Sequence, residues 1–153
     1  MAAPKLMDST CSIARSLGVL GERWTFLILR EALTGTTRFA QFRDVLGIAP
    51  DVLTARLTTL VEYGVLTREP YQEPGSRPRD AYHLTDAGRE LDVVLGALQQ
   101  WGDRHLPRAE GPTVERRTRT DDRPVHVGYV DGSGHEVDPS DVVAHRTAAY
   151  PAG

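Results

Sequence analysis

Two arginines, Arg77 and Arg79, flank a proline in the stretch EPGSRPRD. A guanidinium is a permanent cation whose planar fork of donors matches phosphate oxygens. Pro74, Gly75 and Pro78 would hold these two out from a fold, with Ser76 beside them, in a loop suited to a narrow minor groove. Three more arginines lie upstream, Arg38 and Arg43 in RFAQFRDVLG and Arg56 in PDVLTARLTTL. A lone surface arginine usually carries no function. Their meaning depends on the elements that gather them.

Other reactive groups are few. Cys11 is the single cysteine, so an intrachain disulfide and a cysteine-rich zinc site are both excluded. A thiol in the first turn of a helix, with Arg15 one turn on, sees a positive helix end and a cation, and both favour thiolate. Cys11 is therefore a candidate sensor. The competing role is an inert cysteine buried at an interface, and the usual burial of cysteine favours that role. His126, His135 and His145, with Asp131 and Asp138, match no zinc spacing, and no metal is expected. No nucleophile with a base, glycine-rich phosphate loop or pair of carboxylates in a workable geometry is evident, so neither an enzyme nor a cofactor is expected.

The elements that position these groups follow from apolar periodicity. A first helix is expected from about Cys11 to Leu20, capped by Ser9 or Thr10, with Ile13, Ala14, Leu17 and Leu20 on one face. ERWTFLILREALTG reads as a second helix that Gly35 ends. RFAQFRDVLG gives a third, with Phe39, Phe42, Val45 and Leu46 inward and Gly47 at its turn. PDVLTARLTTLVEYG gives a fourth, with Pro50 in its first turn and Leu53, Leu57, Leu60 and Val61 on one face. VLTREPYQ and AYHLT are strands joined through EPGSRPRD, and Thr85 caps a long helix reaching about Leu106.

Two helices joined by a short turn, then a hairpin with an arginine-bearing loop, is the order of a winged helix-turn-helix. Its second helix should face base edges with Asp51, Val52, Ala55, Thr58 and Thr59, flanked by Thr54 and Arg56. Phosphate contacts would come from Arg38 and Arg43 on the preceding helix and from Ser76, Arg77 and Arg79 on the wing. The expected partner is double-stranded DNA. A winged helix serving as a protein-interaction module without DNA binding is the alternative. Trp24 and Trp101, with Leu17 and Leu98, are candidates for a small-molecule effector pocket, although packing is the commoner role for such residues.

Composition sets the frame. The chain has 153 residues with 18 basic and 21 acidic side chains, a formal charge of -3, so any attraction to DNA must be local. No run is apolar enough to span a membrane, and a cytoplasmic protein is expected. Composition shifts at Pro107. Residues 1 to 106 are read as a DNA-binding and dimerisation domain and 107 to 153 as an extension. In the extension Val125, Val127, Val130 and Val137 flank a turn at Asp131 to Gly134, a small β-hairpin too short to fold alone. It is expected to dock as a cover near the wing or effector site.

The motifs also carry a resemblance. The cysteine near the N-terminus, GERWTFLILR, RFAQFRDVLGIAPDVLTARLTTL and YHLTDAG together resemble the HxlR family of bacterial transcriptional regulators, a branch of MarR-like winged helices. It spans about the first 106 residues. The resemblance implies an α+β winged helix-turn-helix whose N-terminal and long C-terminal helices form a homodimer, acting as a repressor relieved by a small molecule or electrophile. Recognition helices would then lie one DNA turn apart, about 34 Å. Several HxlR-like regulators are similar at Cys11 and respond to electrophiles or oxidants there. Where the family often has Ser or Thr before the recognition helix, this chain has Ala49, which leaves Asp51 to serve the helix end.

Overall fold

The computed structural model describes residues 4–151. The order is α1 (Pro4–Met7), α2 (Ser12–Leu20), α3 (Thr25–Leu33), α4 (Phe39–Leu46), α5 (Pro50–Glu62), β1 (Leu66–Tyr71), β2 (Arg79–Leu84), α6 (Asp86–His105), β3 (Tyr129–Val130) and β4 (Glu136–Val137). The chain packs as two units, Met1–Asp92 and Val93–Gly153, so the division falls within α6.

In the first unit the predicted helices and wing strands are present. Ile28 and Leu29 of α3, Phe42 of α4, and Leu53, Leu57 and Leu60 of α5 are each fully buried and form its core with Ile48 and Leu66. Each such side chain contributes about 1.5–3 kcal/mol on removal from water. The expected inward set is met apart from Val45, which is 61% exposed. Phe39, Phe42 and Leu46 share one side of this eight-residue helix, and Val45 falls off its edge.

The N-terminal end differs from expectation in two ways. A short α1 precedes α2 and lies so close to Gly18 that a Cβ there would stand 2.8 Å from the Met7 sulfur. The cap of α2 is Cys11 itself, in extended conformation, while the Ser9 hydroxyl accepts the Cys11 N–H at 3.1 Å rather than capping the helix.

Between α4 and α5, Gly47 takes φ +60 and donates its N–H to the Arg43 carbonyl at 2.9 Å. Only a residue without a Cβ enters this left-handed turn at no cost. Strands β1 and β2 pair antiparallel from Leu66 opposite Leu84 to Tyr71 opposite Arg79. Arg79 and Asp80 therefore belong to the strand, and the tip is confined to residues 72–78. Thr37 joins the sheet, its carbonyl accepting the Tyr82 N–H at 2.7 Å. Thr85 caps α6 as expected, with its hydroxyl 3.1 Å from the Gly88 N–H.

In the second unit the extension lies along one side of α6. Gln100 donates to the Val127 carbonyl at 2.9 Å and accepts the Val127 N–H, and Gln99 donates to the Val114 carbonyl at 2.6 Å. Arg116 donates to the Gln99 side-chain oxygen. With about 3.6 residues per turn, Gly96, Gln99, Gln100 and Asp103 share this side. Val94, Leu98 and Trp101 lie on the other, 42%, 49% and 58% exposed. The predicted hairpin is formed by β3 and β4, and the Asp131 carboxylate accepts the Ser133 and His135 N–H groups across its turn.

Candidate nucleic-acid interface

Helix α5 turns its polar residues outward. Asp51, Thr54 and Thr58 are exposed and Ala55 and Val52 half-buried, while the opposite side enters the core. Ala49 provides no side-chain cap, Pro50 occupies the first turn, and the Thr54 hydroxyl donates to the Pro50 carbonyl at 2.8 Å. Asp51 places a carboxylate at the positive end of the helix, as the sequence implied.

One expected contact residue is corrected. Thr59 is 3% exposed and donates its hydroxyl to the Ala55 carbonyl at 3.1 Å, so it belongs to the packed side of α5. Arg56, one turn earlier, folds back to Glu22 at 3.4 Å in the segment joining α2 and α3. The Arg56 side chain is only 15% exposed, and its Nε is buried without a hydrogen-bond partner.

The remaining cations fall into two groups. Arg38 extends over the Tyr71 ring, 4.7 Å from its centroid, to pair with Glu73 at the base of the wing tip. Arg43 pairs with its neighbour Asp44 at 2.8 Å. Arg77 and Arg79 are exposed and, among the described residues, have no ion-pair partner. The tip, which carries Arg77 and leads into Arg79 at the start of β2, turns through Gly75 at φ +76 and is closed by the Ser76 N–H on the Glu73 carbonyl at 3.0 Å. Ser76 is half-buried, its own carbonyl taken by Gln72 at 2.8 Å. Tyr71 and Glu73 were not singled out from sequence. The signal available was the place of Tyr71 opposite Arg79 in the hairpin, but the reach of Arg38 to Tyr71 and Glu73 comes from the packing of α4 beside β2.

Tyr82 of β2 has its phenol pushed above the ordinary value of 10.0, first by burial and then by the charge of Asp80, against a smaller lowering by Arg68. The Cys11 thiol is exposed. The Arg15 guanidinium donates to the Ser9 carbonyl at 2.6 Å and the Ser12 hydroxyl at 3.0 Å. Of the candidate effector residues, Leu17 and Trp24 belong to the first unit and Leu98 and Trp101 to the second. A cleft of about 200 Å³ in the second unit is lined by Gly96, Gln99, Gln100, Arg116 and His126, on the side of α6 away from Trp101. The His126 ring pairs with Glu136 at 2.6 Å, and no group of three metal-binding side chains occurs among the described residues.

A short turn between two helices, an outward polar face on the second and an arginine-tipped hairpin define a winged helix-turn-helix protein. The chain belongs to the HxlR-like helix-turn-helix family, whose model matches residues 19–110. It is 48% identical over 109 residues to the uncharacterized HTH-type transcriptional regulator Rv3095 of Mycobacterium tuberculosis, a match covering 71% of this chain and 68% of that protein. Among solved structures it is similar to PA1607, a candidate transcription factor, with a TM-score of 0.81 and 35% identity over 94% of this chain and 99% of the other. The redox regulator HypR in its reduced form is similar at a TM-score of 0.55 and 28% identity, over 63% of this chain and 96% of HypR. The likeness to PA1607 thus takes in the extension. Rv3095 and PA1607 are described as a transcriptional regulator and a candidate transcription factor, and among the described residues no helix is long and apolar enough to cross a membrane.

Proposed function

We propose that this transcriptional regulator acts as a homodimeric repressor that reads a pseudo-palindromic operator and is released by a small-molecule or electrophile signal. The observation that carries DNA binding is the joint placement of an exposed polar face, Asp51, Thr54 and Thr58, with two unpaired arginines, Arg77 and Arg79, on the adjoining wing. Short side chains let α5 approach base edges in the major groove, and the arginine tip supplies phosphate and minor-groove contacts. Arg38, Arg43 and Ser76 would add backbone contacts.

Dimerisation is supported by the side of α6 that the extension leaves open. Val94, Leu98 and Trp101 line it, and Ile13 and Leu17 of α2 are 72% and 49% exposed. A second copy is the occupant that two-fold DNA sites require. A signal received at the N-terminal helix would act through Cys11, whose exposed thiol can be alkylated or oxidised to a sulfenate. Leu17, Trp24, Leu98 and Trp101 remain the candidates for a small-molecule effector.

The test is fluorescence-anisotropy titration of duplexes from the region upstream of the protein's own gene, across a salt series. Affinity should fall steeply with salt, and Arg77→Ala with Arg79→Ala should weaken it about tenfold or more. Salt-independent binding, or an unaffected double variant, would favour a protein-interaction module instead. Alkylation with iodoacetamide should release the wild type from DNA and leave Cys11→Ser bound.

A further inference from the structure

We infer that Glu73 acts as an internal stand-in for a DNA phosphate, holding the Arg38 guanidinium until a duplex displaces it and so setting how tightly the protein binds any DNA. This inference rests on the DNA-binding reading above. The geometry is that of a phosphate clamp already filled. The Arg38 backbone is tied to the wing by its bridge to Ala81 and by the Tyr82 N–H on the Thr37 carbonyl, so its side chain starts from a fixed point. The Tyr71 ring then supports the guanidinium from one side at 4.7 Å, and the Glu73 carboxylate accepts from one of its terminal nitrogens at the base of the tip that carries Arg77.

The pair is half-exposed, with side chains 45% and 52% accessible, so an incoming phosphate can reach it. The gain from a phosphate on Arg38 is therefore a difference between two anions, not the gain of pairing a free cation. Such an exchange costs the same whatever the base sequence, because phosphates are identical along a duplex. Arg77 and Arg79 incur no such cost, having no carboxylate partner among the described residues. Sequence-independent attraction is thereby limited on a wing that would otherwise present three free cations.

The test compares wild type, Glu73→Gln, Arg38→Ala and the double variant on a mixed-sequence duplex of about 30 base pairs. Glu73→Gln keeps the size and a hydrogen-bonding oxygen but removes the charge, and should tighten binding about fivefold, the scale of one exposed ion pair. On the Arg38→Ala background the gain should be clearly smaller, because the competition for Arg38 is gone and only the screened repulsion between an exposed Glu73 and DNA is left. Unchanged or weaker binding by Glu73→Gln, or an equal gain with and without Arg38, overturns the inference. Failure of the wild type to bind any duplex at low salt would instead overturn the DNA-binding reading beneath it.

Discussion

Replacing Gly96 by alanine sets two calculable effects against each other. In a helix interior alanine is favoured over glycine by about 1 kcal/mol, so with open space Gly96→Ala would stabilise α6. The space is not open. An added Cβ would lie 2.9 Å from the Val127 Cγ2 and 3.4 Å from the Arg116 Nε. Val127 cannot simply withdraw, since its N–H and carbonyl are both held by the Gln100 amide, and a valine side chain has little rotamer freedom. Relieving the contact means giving up that pair of hydrogen bonds, about 1 kcal/mol each. The expected net result is destabilisation of the docked extension by about 1 kcal/mol. The adjacent Ala97 is exposed, and Ala97→Gly calibrates the propensity alone, with an expected loss of about 1 kcal/mol. Amide exchange at Val127, followed by NMR beside urea denaturation, reads both effects, and protection in Gly96→Ala should fall several-fold. If Gly96→Ala instead gains what Ala97→Gly loses, with Val127 protection unchanged, the docking of the extension on α6 is wrongly reasoned.

Leu98→Asp combined with Trp101→Asp places two charges on the open side of α6, and sedimentation should show a monomer with operator affinity reduced about a hundredfold or more. Leu57→Ala empties a fully buried site and should cost about 2–5 kcal/mol, read from denaturant unfolding. Thr59→Val should leave DNA affinity within about twofold, since that side chain is packed, whereas Thr58→Glu sets an anion on the exposed face and should weaken binding about tenfold or more. The raised Tyr82 phenol means the fold favours its neutral form. Its stabilising effect is full below the ordinary tyrosine value of 10.0 and is lost as pH rises through the higher folded value. Ultraviolet titration should find one phenol ionising above 10.0, and that late step should vanish in Tyr82→Phe.

Local rules sufficed for much of this protein. Leucines at helical spacing in α5, a left-handed glycine at position 47, a proline in the first turn at Pro50 and a capping threonine at Thr85 act over one or two turns of chain, and each was legible in order along the sequence. So were the wing and the small hairpin, because glycine and proline mark turns by backbone geometry alone. Side-chain fate on a helix flank is not local. Thr59 and Thr58 are adjacent and alike, yet one is packed and the other exposed, because what covers a helix flank is set by the elements packed against it and not by the residue. The same holds for the cations: Arg43 takes its chain neighbour Asp44, but only tertiary packing brings Arg38 to Glu73 and Arg56 to Glu22 while Arg77 and Arg79 meet no carboxylate among the described residues. The seat of the extension on α6 also came from long-range contacts, through glutamines whose position in a polar stretch carries no mark of what they will bind.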